Sequence, residues 1–293
     1  MKFINVSFYK FFEIQAERLP ELRATLREFC VSLSLKGTLL LAREGVNGFV
    51  AGNRRSIDAF KQKIIETWGF SDFPFKESES DYQPFTRMLV KIKKEIISMG
   101  VPEVNPSRYT AKRLSAQDLQ TWFQENRDFV MLDTRNDYEV RIGTFERAID
   151  MDLKTFRQFP LKLKELPADL RRKPVVTFCT GGIRCEKASA LLEKEGFEDV
   201  YQLDGGILRY FEETGGSHYQ GECFVFDQRV AVDASLNETP TVLCFNCQNP
   251  VTEEEQETAS YNPPSTCPHC VNGKKIEHKE RIAKEILEAG RTG

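Results

Sequence analysis

Apolar positions along the chain switch between two periods, and each switch predicts an element. Residues 4–11 alternate loosely and are rich in aromatics, which predicts a strand. Over residues 19–33 the spacing becomes helical through Leu22, Leu26 and Phe29. Residues 37–41 are again strand-like. Glu44-Gly45-Val46-Asn47-Gly48 then reads as a turn leading into a second strand at 49–51. A helix is predicted over 56–68 with Ser56 as its N-cap, and a last strand over 88–93. After Pro102 and Pro106 the pattern changes to short buried strands alternating with helices. A helix over 115–123 starts at Ser115, with Asp118 placed close to a capping box. A strand over 129–132 follows, then an aromatic segment at 156–160 that reads as either a lid or a packing element. Residues 175–178 form a run rich in β-branched side chains, so a buried strand is expected there. The helix after it is predicted over 186–195, with Ala188, Leu191 and Leu192 on one face and Gly196 as its stop. A strand over 200–203 runs into Gly205-Gly206. Two short strands at 221–227 and 229–232 and an amphipathic helix at 276–287 complete the pattern.

These elements predict a mixed α/β and α+β chain in three parts. Residues 1–100 read βαββαβ, the order of ferredoxin-like folds. Residues 101–216, opened by a proline linker at 101–106, read as a parallel sheet covered by helices on both faces. Residues 217–293 carry cysteine pairs, with Glu253-Glu254-Glu255 and Pro263-Pro264 marking an exposed insert. A length of 293 residues suits two or three domains.

Composition narrows the classes. A net charge of -3 neither asks for nucleic acid nor excludes it, because a local basic face is enough. One candidate face exists: Arg87, Lys91 and Lys93 share one side of the last strand, with Lys94 next to them and Tyr82 and Phe85 near in sequence. It is either a solvated strand face or a surface that grips RNA through phosphates and stacked bases. No run approaches about 18 apolar residues, so no membrane span is expected. The first fifteen residues lack a small-residue cleavage site, so no signal peptide is expected either. Eight cysteines without a secretory signal read as reduced thiols in the cytosol. Four of them, Cys244, Cys247, Cys267 and Cys270, form two Cys-x-x-Cys pairs nineteen residues apart. That spacing suits four thiolates around one tetrahedral zinc ion, a closed and therefore structural site. His269 is a poorer ligand candidate, and His218 and His278 have no partner visible in the sequence. Three histidines offer no 2-His-1-carboxylate set, and no Gly-x-Gly-x-x-Gly element occurs, so no flavin or nucleotide cofactor is evident.

The chemistry concentrates after the strand at 175–178. Cys179, Thr180, Gly181, Gly182, Ile183 and Arg184 lie between that strand and a helix start. The glycines let backbone amides turn inward, the helix start adds free amides and a positive dipole end, and Arg184 adds a full charge. All three favour an anion at the loop centre, and the Cys179 thiolate is that anion, with a depressed pKa expected. Cys185 follows directly and can either resolve a modified Cys179 as a disulfide or support the loop by packing. Glu186 and Lys187 open the helix; Glu186 suits the positive helix end but can also touch substrate. Asp133 and Arg135 end a strand of the same sheet, so they can stand beside Cys179 or form an internal ion pair. Glu139 reads better as a structural residue.

Cys-x-x-Gly-x-Arg between strand and helix resembles the active loop of rhodanese domains, which carry sulfur as a cysteine persulfide. Asp133-x-Arg135-x-x-x-Glu139 and the Gly205-Gly206 turn are similar to further rhodanese elements, although Arg147 stands where rhodanese domains often have glycine. The longer string CTGGIRCEKAS, with GTLLLAREGVNGFVAG, PFTRMLVKIKKEIISMG and GECFVFDQRVAV, resembles the rhodanese-domain tRNA uridine hydroxylases over about residues 1–232. The resemblance implies hydroxylation of the wobble uridine of tRNA to 5-hydroxyuridine, with molecular oxygen as co-substrate and Cys179 as the reactive group. Two other readings share the same residues: a sulfurtransferase that carries a persulfide, and a non-enzymatic RNA-binding scaffold. Protein partners are not readable.

Overall fold

A computed structural model of the chain describes residues 2–271. The helix expected at 276–287, and His278 in it, lie outside the described residues. The fold divides into two compact units: residues up to Ser98 with Asn105–Tyr109, and Met99–Val104 with the chain from Thr110 onward.

In the first unit β1 (Phe3–Phe11), α1 (Leu19–Ser32), β2 (Lys36–Ala42), β3 (Gly45–Gly52), α2 (Arg54–Trp68) and β4 (Lys76–Ser80) follow the βαββαβ order, and β5 (Met88–Ile92) is added to it. The strand order is β4-β1-β3-β2-β5. The fourth strand is therefore 76–80, not the segment at 88–93. Its sequence, KESES, has no apolar alternation because it is a charged edge strand, the type that discourages edge pairing. Arg54 and Lys61 hold its Glu77 at 2.8 and 2.7 Å. β5 instead joins the opposite edge, parallel to β2. Leu22, Leu26, Phe60 and Ile64 of the helices pack on Val6, Phe8, Leu39 and Val90 of the sheet.

The start of α2 also differs from expectation. Asn53, not Ser56, is the cap: its side chain accepts from the Ser56 amide at 2.8 Å, while the Ser56 hydroxyl turns inward and donates to the Leu33 carbonyl. The polar Arg54-Arg55 pair conceals this first turn from any apolar pattern.

The second unit contains β6 (Lys112–Leu114), α3 (Ala116–Gln124), β7 (Val130–Asp133), α4 (Asp137–Ile142), β8 (Gly143–Phe145), β9 (Ala148–Asp150), α5 (Phe159–Leu163), β10 (Val175–Phe178), α6 (Ile183–Lys194), β11 (Val200–Leu203) and α7 (Gly206–Thr214). Five strands in the order β6-β11-β10-β7-β9 pair in parallel throughout. Leu119 and Phe123 of α3 and Ile207 and Phe211 of α7 cluster with Val176 and Phe178. α6 packs against β10 and β11, and α5 packs against α6. Phe156 and Phe159 are buried with ring centroids 5.6 Å apart, so the segment at 156–160 is packing. Arg147 adopts φ 61°, so the chain keeps the left-handed turn that glycine would favour. β6 and α7 were not anticipated. β6 is three residues with two charges, and α7 begins inside the Gly-Gly turn.

Five short strands and a helix follow. β12 (Tyr219–Gly221) pairs with β8, and β13 (Cys223–Phe224) forms a hairpin with β14 (Ala231–Val232). β15 (Val242–Leu243) pairs with β16 (Pro250–Val251), and α8 (Glu253–Gln256) comes next. Among the described residues no helix is long and apolar enough to cross a membrane.

The α2 cap is testable. Asn53→Ala leaves the Ser56 amide without its side-chain acceptor and should destabilise the protein by about 1 kcal/mol, read from urea unfolding. An unchanged midpoint would show that the cap is not used.

Candidate active site

The reactive loop is built by the end of β10 and the start of α6. The helix starts at Ile183, three residues before the spacing indicates, so Arg184, Cys185, Glu186 and Lys187 all belong to it. Gly182 makes that early start by taking φ 97° as the cap residue. Its amide donates to the Cys179 sulfur at 3.1 Å, and the Arg184 amide donates to the same sulfur. Gly181 has open space where a Cβ would stand and does not need positive φ, so only one of the two glycines is conformationally required.

Cys179 is 1% exposed, yet its surroundings are polar. Burial alone would push the thiol up. The hydrogen bond from Cys185, the Arg184 charge and the amides of Arg184 and Gly182 outweigh it and bring Cys179 down to about 5. Cys185 is fully buried and moves the other way, raised by burial and by the neighbouring Cys179. Its sulfur lies 3.9 Å from the Thr134 hydroxyl. The two sulfurs therefore share one proton at neutral pH, held on Cys185.

Arg184 is fixed by a partner that sequence reasoning treated as structural. Its two terminal nitrogens donate to Glu139 at 2.6 and 2.7 Å, and both side chains are buried. Burial would raise the Glu139 carboxyl, but the Arg184 charge and hydrogen bonds hold it below the usual range. Glu139 also accepts from the Asn136 amide and so closes the capping box of α4. Thr180 donates to Glu139 at 3.4 Å and to the Phe224 carbonyl at 3.3 Å.

The remaining candidates brace this centre. The ladder places Asp133 beside Phe178, one residue before Cys179. Asp133 and Arg135 are fully buried and bind each other, the closest contact being 2.7 Å. Arg135 also donates to the Gly143 carbonyl at 2.7 Å. Glu186 accepts from Thr110 at 2.5 Å and from Arg113 at 2.8 Å, which ties α6 to β6. Lys187 is 2% exposed. His218, for which no partner is visible in the sequence, lies 3.2 Å from Glu146 and stacks on Phe123.

Two contributors were missed. The amides of Ile207 and Leu208, at the start of α7, donate to the carbonyls of Cys179 and Thr180 at 3.0 and 3.2 Å. That approach needs Gly206, where a Cβ would sit 2.4 Å from the Cys179 carbonyl oxygen. The only sequence signal was the Gly-Gly pair, which reads as a turn. The second is Phe226, 45% exposed, with the Arg184 guanidinium 5.9 Å from its ring centroid.

Elsewhere the structure gathers two more predicted groups. The sulfurs of Cys244, Cys247, Cys267 and Cys270 lie within 4.8 Å of one another and can hold a metal ion. The shorter separations are 3.5, 3.8 and 3.9 Å. A tetrahedron with metal–sulfur bonds of about 2.3 Å has edges of about 3.8 Å, so the donor set fits zinc. Arg141 of α4 donates to the Pro250 carbonyl at 2.9 Å, linking this cluster to the helix that carries Glu139. In the first unit Met88 and Val90 point into the core, and Arg87 and Lys91 are exposed on the other side of β5. Lys93 and Lys94 are exposed just beyond it, and none of the four forms an ion pair among the described residues.

The fold and loop define a rhodanese-like unit joined to a small α+β unit. Residues 115–213 match the family model described as a rhodanese-like domain, and residues 3–96 match the UPF0176 acylphosphatase like domain. A solved rhodanese-related protein from Thermoplasma volcanium is 24% identical, covering 35% of this chain and 93% of its own, with a TM-score of 0.30. Two curated relatives extend over nearly the whole chain. The tRNA uridine(34) hydroxylase of Cupriavidus taiwanensis is 48% identical over 94% of this chain and 98% of its own. That of Cupriavidus necator is 47% identical over the same shares. The chain belongs to the tRNA uridine(34) hydroxylase family.

Two predictions follow from the loop. The Cys179 thiolate is lost as pH falls through its pKa, so its alkylation by iodoacetamide should be flat above neutrality and fall with a midpoint of about 5. Peptide mass spectrometry reads this, and a midpoint near the free-thiol value of about 8.5 would contradict the amide cradle. Gly206→Ala should displace the Cys179 carbonyl, destabilise the protein by about 1–3 kcal/mol and move that alkylation midpoint upward.

Proposed function

We propose that this chain converts uridine 34 of tRNA to 5-hydroxyuridine in a monooxygenase-type reaction that uses molecular oxygen, with Cys179 as the reactive group. The observation that carries the reading is a cysteine sulfur cradled by the Gly182 and Arg184 amides, which with the Arg184 charge bring its pKa down to about 5, in a member of this family. Thr180, Gly181, Gly182, Ile183, Arg184 and Cys185 form the active loop, with Asp133, Arg135, Glu139, Glu186 and Lys187 as its support.

Thiolate addition to C6 of uracil places negative charge on C5 and O4, which makes C5 the nucleophile toward oxygen. Net transfer of one oxygen atom from O₂ takes up two electrons and two protons, and the second atom leaves as water. Loss of the C5 proton with expulsion of Cys179 restores the ring and the thiolate. A two-electron reductant supplies the electrons. A second route first places the oxygen on sulfur, as an oxygenated form of Cys179 or of its persulfide, with the same two electrons and two protons taken up and water released, and it needs the same ionised group. The same loop also suits a sulfurtransferase, but the family's named activity favours hydroxylation.

The three-part division assigns roles. Residues 1–100 bind tRNA, with Arg87, Lys91, Lys93 and Lys94 on phosphates. Residues 101–216 hold the chemistry. Residues 217–293 hold zinc on Cys244, Cys247, Cys267 and Cys270, where four thiolates leave no open position and the metal's part is structural. The protein works in the cytoplasm, where tRNA is found.

Nucleoside analysis of tRNA from a deletion strain tests the reading. Complementation with the wild type should restore 5-hydroxyuridine, and Cys179→Ser should not. Modification that persists with Cys179→Ser would rule out both routes. Thiosulfate:cyanide transfer, assayed in parallel, separates the sulfurtransferase.

A further inference from the structure

The hairpin of β13 and β14 sets an aromatic ring over the reactive loop. Its turn is braced internally. The Val225 amide donates to the Val230 carbonyl at 2.8 Å, and Arg229 donates to Asp227 through its Nε at 2.9 Å and a terminal nitrogen at 2.6 Å. Both members of that ion pair are largely buried. Thr180 of the reactive loop donates to the Phe224 carbonyl, so the hairpin is tied to the loop directly. Phe226 stands in this braced turn. Its ring meets Phe224 edge-on at 5.1 Å and lies 5.9 Å from the Arg184 guanidinium, yet 45% of the residue stays exposed. Arg184 is the residue whose charge and amide hold the Cys179 thiolate. A flat apolar surface is thus fixed one side chain away from the reactive sulfur.

The substrate of the proposed reaction has a matching need. A base modified on its C5–C6 edge must leave its stack and be held elsewhere while that edge meets the protein. Uracil carries no charge, so an ion pair cannot hold it, but its π-face can lie on an aromatic ring. We propose that Phe226 is the stacking platform for the target uracil and positions it for Cys179. The inference rests on the reading of the chain as a tRNA uridine hydroxylase.

The test is a binding cycle with two anticodon stem–loop RNAs, one with uridine and one with an abasic nucleotide at position 34, against wild type and Phe226→Ala. Phe226→Ala should weaken the uridine RNA by about 5- to 150-fold, the range of one lost base–aromatic stack, and leave the abasic RNA unchanged. Phe226→Tyr should retain binding, whereas Phe226→Leu, which keeps the bulk but not the flat face, should behave like the alanine variant. The Cys179 alkylation midpoint should stay at about 5 in every variant, because the sulfur's own donors are untouched. Equal losses for both RNAs, no loss for either, or a shifted midpoint would overturn the platform while leaving the functional reading in place. Failure of the wild type to bind the uridine RNA would overturn the functional reading and the platform with it.

Discussion

The buried pair of Glu139 and Arg184 is the constraint on which the reactive loop depends. Two charges inside a protein are costly unless each meets the other with good geometry and further hydrogen bonds. Here the guanidinium is held by two short bonds, and the carboxylate also caps α4 and accepts from Thr180. The pair thereby locks α4, the loop and the first turn of α6 into one arrangement. It also decides what Arg184 can do. With its terminal nitrogens spent on Glu139, Arg184 acts on Cys179 through its charge and its backbone amide, not as a mobile side chain. Removing either member would strand the other charge next to the sulfur.

Around that pair the second unit is held from several sides. The Asp133–Arg135 pair braces the end of β7, Glu186 ties α6 to β6 through Thr110 and Arg113, and the first amides of α7 satisfy the loop carbonyls. The first and last of these stand at the carboxyl ends of β7 and β11, the edge where parallel sheets gather their functional groups, while the Glu186 tie runs to β6 and the residues before it. The cysteine cluster reaches the same assembly through Arg141 of α4.

Much of this was legible in the sequence, for local reasons. A β-branched run, two glycines and a helical period mark the strand–loop–helix at Cys179, and the paired Cys-x-x-Cys spacings mark the sulfur cluster. What stayed hidden depends on distance or on polar first turns. Glu139 meets Arg184 across 45 positions, and no local pattern announces that. Gly206 reads as part of a turn until the Cys179 carbonyl is seen against it. The α2 cap lies before two arginines, and β4 carries edge charges where an apolar alternation would have disclosed it. The start of α6 was placed late because its first turn carries Arg184, a polar residue buried by its pairing with Glu139, which a pattern based on hydrophobicity misreads.

The single proton shared by Cys179 and Cys185 has an electrostatic consequence. Cys179 is negative and Cys185 neutral at physiological pH, while Arg184 and Glu139 cancel. These four groups therefore sum to one unit of negative charge. The charge of these four groups gives a polyanion no attraction of its own. For the proposed substrate, an uncharged base suits such a centre better than the phosphate chain that carries it.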